Sequence, residues 1–109
     1  MKIDFSNIEE TVLHNFRGGD GDTQARMVTD EHNRIMKGRL KSGCSIGVHT
    51  HDTSSEIIFV ISGVGRCIVD GVEEILTKGT CHYCKKGQTH TLINDSEDDL
   101  VFYAVIPQQ

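Results

Sequence analysis

The sequence predicts an all-β fold, on three observations. Side chains that suit pleated strands dominate, with 11 Ile, 9 Val and 9 Thr against 5 Leu and 2 Ala, a balance that disfavours long helices. From residue 34 onward, short apolar stretches are punctuated by Gly38, Gly43, Gly47, Gly63, Gly65, Gly71, Gly79 and Gly87, the turn spacing of a β-sandwich or barrel. The 109 residues, 37% hydrophobic and 25% charged, match one globular domain rather than two. The expected division is an N-terminal extension over residues 1–23, followed by a single barrel domain over 24–109.

In the extension, Ser6-Asn7-Ile8-Glu9 reads as a helix-capping box, and Val12, Leu13 and Phe16 follow at helical spacing, so one short helix is expected there. Gly18 to Asp22 reads as a loop whose aspartates serve turn chemistry; the other ligands of a calcium loop are missing. Eight strands follow, over Arg34–Lys41, Ser45–His51, Glu56–Ser62, Gly65–Val69, Val72–Leu76, Thr80–Cys84, Thr89–Asn94 and Leu100–Ile106.

The first of these strands alternates Arg34, Met36, Gly38 and Leu40 with Ile35, Lys37, Arg39 and Lys41. One face is therefore mostly apolar, and Arg34 is a candidate for the barrel mouth, where a guanidinium would pair with a carboxylate or phosphate. Asp70-Gly71 is expected to close a tight two-residue hairpin, since both residues tolerate positive φ. Asp95 to Asp99 reads as a solvated acidic turn. Ile57 to Ile61 is apolar on both faces and Leu100 to Ile106 nearly so, so the outer face of that sheet needs a cover. A second copy of the chain is the preferred cover, making a homodimer; the alternative is that residues 3–16 fold across it.

Composition excludes several function classes. The net charge of −5 has the wrong sign for a protein held to phosphate backbones, so no nucleic acid is expected as a partner. Neither apolar run, Ile57 to Ile61 or Leu100 to Ile106, approaches the roughly 20 residues of a membrane-spanning helix. Met1 to Phe5 turns polar at once and lacks the apolar centre of a secretory signal, so a cytoplasmic location is expected. Cys44, Cys67, Cys81 and Cys84 are too sparse for a disulfide-stapled scaffold and fit free thiols in a reducing compartment.

Two spaced motifs carry the chemistry. In the first, His49 and His51 share one face of a strand while Thr50 points away, and Glu56 opens the next strand after a four-residue loop. An antiparallel return would bring its carboxylate beside the two imidazoles, a donor set for a divalent metal. In the second, His90 follows two turn glycines, Gly79 and Gly87, and precedes Asn94.

Together these stretches resemble the cupin family. Gly43, His49, His51, Glu56 and Gly63 fit the family's first motif, G-x5-H-x-H-x4-E-x6-G, at every specified position. The second motif, G-x5-P-x-G-x2-H-x3-N, is met by Gly79, Gly87, His90 and Asn94, with Lys85 standing where the family has proline. The resemblance spans roughly residues 34 to 106. It implies an antiparallel jelly-roll barrel whose interior holds one metal ion, with His49, His51, Glu56 and His90 as its four ligands. An octahedral ion so held keeps two positions for water, dioxygen or a chelating substrate. Such ligands disfavour calcium and magnesium but leave Mn, Fe, Co, Ni, Cu and Zn.

The pair Cys81 and Cys84 is read as packing rather than as a redox or zinc site, because an offset of three on a strand sends the two thiols to opposite faces. His82 and Cys84 share a face and line the interior if that face points inward. Two functions follow. The favoured one is a small metal-dependent enzyme, of dioxygenase, isomerase or decarboxylase type, acting on a polar small metabolite, with its proton-transfer residue unassigned. The other is a metal-bearing binding or sensor module that holds a ligand without transforming it.

Overall fold

Alternating inward and outward side chains, cut every few residues by turn formers, fold this chain into two facing antiparallel sheets. The computed structural model describes all residues, Met1 to Gln109. Its strands are β1 (Thr11–His14), β2 (Asp22–Thr29), β3 (Asn33–Leu40), β4 (Ser45–Thr50), β5 (Glu56–Ser62), β6 (Val64–Val69), β7 (Val72–Thr77), β8 (Cys81–Cys84), β9 (Thr89–Ile93) and β10 (Leu100–Pro107). The first sheet has the order β1-β2-β3-β10-β5-β8 and the second β4-β9-β6-β7. This is the jelly-roll barrel that the sequence predicts, and β3 to β10 match its eight expected strands within one or two residues at each end.

Two corrections concern the chain before residue 33. Val12 and Leu13 lie on a strand, not a helix: Thr11 to His14 pairs with Asp22 to Ala25 along the edge of the first sheet. The strand wins because it satisfies its backbone on β2, whereas so short an isolated helix is marginal. The helical content is one 3-10 turn at Phe5–Asn7, capped by Asp4 rather than by Ser6, and a second at Phe16–Gly18. β2 is the other addition, and it pairs with β3 along its length.

Register decides which side chains meet. On β3 the buried residues are Met36, Gly38 and Leu40, so the apolar face reads inward as its alternation requires. Leu40 pairs with Leu100, and Met36 with Ala104. Together with Ala25, Ile46, Ile58, Val60, Cys67, Leu76, Leu92 and Phe102 they form the core between the sheets. At the Asp70-Gly71 hairpin φ is 47° and 80°, and Val69 pairs with Val72, the mirror-image turn that matches strand twist.

The outer face of the first sheet is only partly covered. Phe5 packs on Tyr103, ring centroids 5.4 Å apart, so the N-terminal segment shields that side of β10. Phe59, Ile61 and Tyr83 remain exposed.

Candidate metal centre

Strand geometry places the first two histidines. His49 and His51 turn inward at the end of β4 while Thr50 faces out, its Oγ1 2.7 Å from Thr89 Oγ1. His90 lies directly opposite His49 on β9. Glu56 arrives by a route the sequence does not anticipate. β5 is not the antiparallel partner of β4; it belongs to the facing sheet. Residues 52–55 cross from one sheet to the other, tied down by the bridge between Ser54 and Gln108. The carboxylate therefore reaches the imidazoles across the barrel interior.

The four predicted residues meet, with their donor atoms all within 4.8 Å of one another. The Nε2 atoms form a triangle with sides of 3.1 Å (His49 to His51), 3.0 Å (His51 to His90) and 3.1 Å (His90 to His49). Glu56 Oε1 lies 2.9 Å from the nitrogen of His90, 3.1 Å from that of His51 and 3.9 Å from that of His49. An octahedral ion about 2.1 Å from each ligand sets neighbouring ligands about 3.0 Å apart and opposite ones about 4.2 Å apart. The separations thus suit these four residues as the ones that would hold one transition-metal ion.

The far side of each ring is also engaged. His49 Nδ1 donates to the Gly47 carbonyl at 2.8 Å, which leaves its Nε2 with a bare lone pair facing the other rings. His51 Nδ1 meets Ser54 Oγ at 2.9 Å, and His90 Nδ1 meets His82 Nε2 at 3.0 Å. Partners of this kind orient imidazoles toward a metal and set which nitrogen is free to bind it. His51, Glu56 and His90 are buried. Burial pushes the Glu56 carboxyl up, yet the surrounding imidazoles of His49, His51 and His90 outweigh it and hold that carboxyl well below its ordinary range. Burial in turn lowers the His90 pKa against the pull of Glu56. Both shifts favour an anionic carboxylate and a neutral ring, the forms that bind a cation.

Above the cluster is a small cavity lined by Phe16, Arg17, Arg34, Met36, Ile46 and Ile106. About 20 Å³ of it is accessible to water, room for little more than one molecule. Arg34 stands at this mouth, as its place on β3 suggested. Arg17 and Phe16 were not anticipated. They sit on the second 3-10 turn, where Arg17 adopts φ of 56°, a left-handed conformation that no arginine signals in a sequence. Two glycines hold that turn down: a methyl on Gly47 would overlap the Arg17 carbonyl, and one on Gly19 would overlap that of Ser45.

The remaining motif residues are structural. Asn94, fully buried, donates through Nδ2 to Leu40 and Asp98 carbonyls, each at 2.8 Å, and fastens the acidic turn. Lys85 replaces the motif proline without loss, because its backbone N–H donates to Gln88 Oε1 at 2.9 Å, a bond proline cannot make. Cys81 is exposed and Cys84 buried, on opposite faces as their spacing requires. Burial, then the negative charges of Glu56 and Asp70, push the Cys84 thiol up to about 11.

Comparison with known proteins agrees with this fold. The family model for the cupin domain matches residues 36–106. An oxalate-binding protein of Thermotoga maritima is 30% identical over 112 aligned residues, covering 97% of this chain and 93% of that one. The crystal structure of a predicted oxalate decarboxylase from Thermotoga maritima superposes with a TM-score of 0.93 at 26% identity, covering 100% of both chains. A sugar phosphate isomerase from the cupin superfamily of Silicibacter pomeroyi gives a TM-score of 0.80 at 20% identity over 100% of this chain and 76% of that one.

Proposed function

This chain belongs to the cupin domain family, and from that premise we propose that it binds a small dicarboxylate of the oxalate class at one divalent transition metal held by His49, His51, Glu56 and His90. The observation that carries this reading is the placement of two arginines, Arg17 and Arg34, on the rim of a cavity whose floor is the four-donor cluster. Neither forms a salt bridge within the chain. The oxalate-binding relative from Thermotoga maritima supports the same ligand class.

When bound, the metal supplies a Lewis acid that polarises a ligand oxygen. The chain's own residues do the rest. Arg17 and Arg34 orient the carboxylate groups by charge-assisted hydrogen bonds. Phe16, Met36, Ile46 and Ile106 exclude water and keep the local dielectric low, which strengthens those contacts. Because the cavity holds about one water, a six-atom dianion enters only if the Phe16–Gly18 turn lifts.

The sequence favours an enzyme; one structural observation favours the binding module. Apart from the four metal-site residues and the two arginines, the cavity lining has no titratable group to move a proton, and decarboxylation or isomerisation requires one. Metal-loaded and metal-free protein should be titrated with oxalate by calorimetry and the mixture assayed for formate and carbon dioxide. Binding that depends on metal, without product, is the expected result. Product formation would return the assignment to an enzyme, and no oxalate binding would defeat the ligand class. Arg34→Ala should weaken binding about 10-fold or more, the worth of a hydrogen bond to a charged group.

The free thiols suit the reducing cytosol. The exposed Phe59, Ile61 and Tyr83 support a homodimer through the outer face of the first sheet. Light scattering should give twice the chain mass for the native protein and a monomer for Phe59→Glu.

A further inference from the structure

Behind the candidate metal centre lies a second buried histidine. His82 is on β8, in the first sheet, and its side chain points inward opposite Ile58. Its Nε2 is 3.0 Å from Nδ1 of His90, on β9 of the second sheet. Its Nδ1 is 2.7 Å from Oε1 of Glu74, on β7. Glu74 is part-exposed, with 43% of its side chain open to water. Cys67, paired with Glu74 in register on β6, places Sγ 3.3 Å from His82 Nε2.

Hydrogen-bond chemistry fixes the direction of this chain of contacts. A carboxylate only accepts, so His82 Nδ1 carries the proton and donates to Glu74. His82 Nε2 then bears a lone pair, and the proton between the two rings sits on His90 Nδ1. The Nε2 of a neutral His90 is then left bare and faces His49, His51 and, at 2.9 Å, the Glu56 carboxylate, two electron-rich groups that a cation between them would reconcile. The same logic through Gly47 leaves His49 Nε2 bare. Two lone pairs thus face each other at 3.1 Å, an arrangement that a cation between them relieves.

We propose that His82, anchored by Glu74, is a positioning residue: it locks His90 in the tautomer that presents Nε2 to the metal. This rests on the four-ligand centre proposed above and adds the residues that make one of its ligands competent. Cys67, His82 and His90 also satisfy the spacing of a second metal site, but the ring geometry argues for a hydrogen bond. The centroids of His82 and His90 are 5.3 Å apart with planes 23° from parallel. That separation is the nitrogen contact extended by one ring radius at each end, so the contact runs end-on along both lone-pair directions. Two ligands of one tetrahedral ion would instead meet at an angle. Burial, then the charges of Glu74, Cys84 and Glu56, push the Cys67 thiol up to about 12, so it stays neutral beside the pair.

The test uses wild-type protein, His82→Leu, His82→Gln and Glu74→Ala, each confirmed folded by its amide spectrum. Two readouts are taken: the ring-nitrogen NMR signals of His90 in metal-free protein at pH 8, which report the tautomer, and Mn or Zn affinity by chelator competition. Wild type should show the Nδ1–H form of His90. His82→Leu should shift it toward Nε2–H and weaken metal binding about 10- to 100-fold, the usual cost of losing such a partner. His82→Gln should restore most of both, because its amide oxygen accepts from His90 while its NH2 donates to Glu74. If His82→Leu does not fold, Glu74→Ala, which removes a part-exposed group, should show the same shift in smaller measure.

An Nε2–H tautomer in wild type, or unchanged tautomer and affinity in His82→Leu, overturns the proposal. So does a folded His82→Gln that is as weak as His82→Leu. A wild-type protein that takes up no metal at all would defeat the ligand assignment, while the metal-free spectrum still judges His82. Two tightly bound ions per chain, reduced to one in Cys67→Ser, would also overturn it in favour of the second metal site.

Discussion

Gly47→Ala adds one methyl group beneath the turn that carries Phe16 and Arg17, and its effect follows from the contact it breaks. The new carbon would lie 2.7 Å from the carbonyl carbon of Arg17 and closer still to the oxygen, where nonbonded carbons rest about 3.5 to 4.0 Å apart. β4 is paired with β9 on both sides of the irregularity at Gly47, through Ser45 and Ile46 and through His49 and Thr50, so the Phe16–Gly18 turn should be the part that gives, rising by about 1 Å. Forcing a methylene-sized group into a packed site costs about 1 to 3 kcal/mol, most of it from lost contacts and shifted backbone. For a domain of this length that lowers the melting temperature by about 5 to 15 °C.

Because the turn carries Arg17, the lifted segment should also expose the Arg17–Gly18 peptide bond to trypsin, and limited digestion reads this directly. Gly19→Ala makes the reciprocal clash with the Ser45 carbonyl. The double variant should therefore cost less than the two single ones added, since one lift relieves both overlaps. Val48→Ala, at an exposed neighbour, is the control and should behave as wild type. An unchanged melting temperature and an unchanged digestion pattern in Gly47→Ala would refute the idea that these glycines clamp the turn over the cavity.

The other predictions concern the centre and the thiols. His90→Ala and Glu56→Gln should each lower metal affinity at least about 10-fold while the barrel still unfolds cooperatively, as read by elemental analysis and thermal melts. Retained metal in both would contradict the ligand assignment. In metal-free protein, stability should fall on acidification. Burial sets His90 below its ordinary 6.5, so its contribution is complete above that value and is lost as pH drops toward the folded pKa. Glu56, held well below 4.5 against burial by its histidine neighbours, adds a second loss at lower pH. The slope for each group is at most about 1.4 kcal/mol per pH unit, and a melting temperature that rises between pH 7 and 5 would contradict it. A thiol reagent at pH 8 should label exposed Cys81 quickly and leave buried Cys67 unreacted until denaturant is added, as counted by mass spectrometry.

What was legible in the sequence was what period and punctuation encode. β3 to β10 alternate or run apolar between glycines, and all four proposed ligands stand in two spaced motifs. β2 was hidden because Thr23, Gln24 and Ala25 are buried in succession, on both faces and two of them polar, which erases the alternation. β1 was misread because Val12, Leu13 and Phe16 satisfy helical spacing as well as an edge strand does. The origin of Glu56 in the opposite sheet was not readable, since a four-residue loop serves a hairpin and a crossing equally well. Arg17 depends on backbone that arginine rarely adopts. The role of His82 depends on Glu74 and Cys67, which lie on strands of the other sheet and leave no mark near it in sequence.

The crossing of residues 52–55 has a mechanical consequence. Three donors belong to one face of the sandwich and the fourth to the other, so an ion gripping them acts as a rivet through two plates. Sliding the plates would tear its shell apart, and filling the hole would couple their fates by mass action. Occupancy then becomes a gauge of how tightly the barrel is shut, and tightening the barrel a means of raising occupancy.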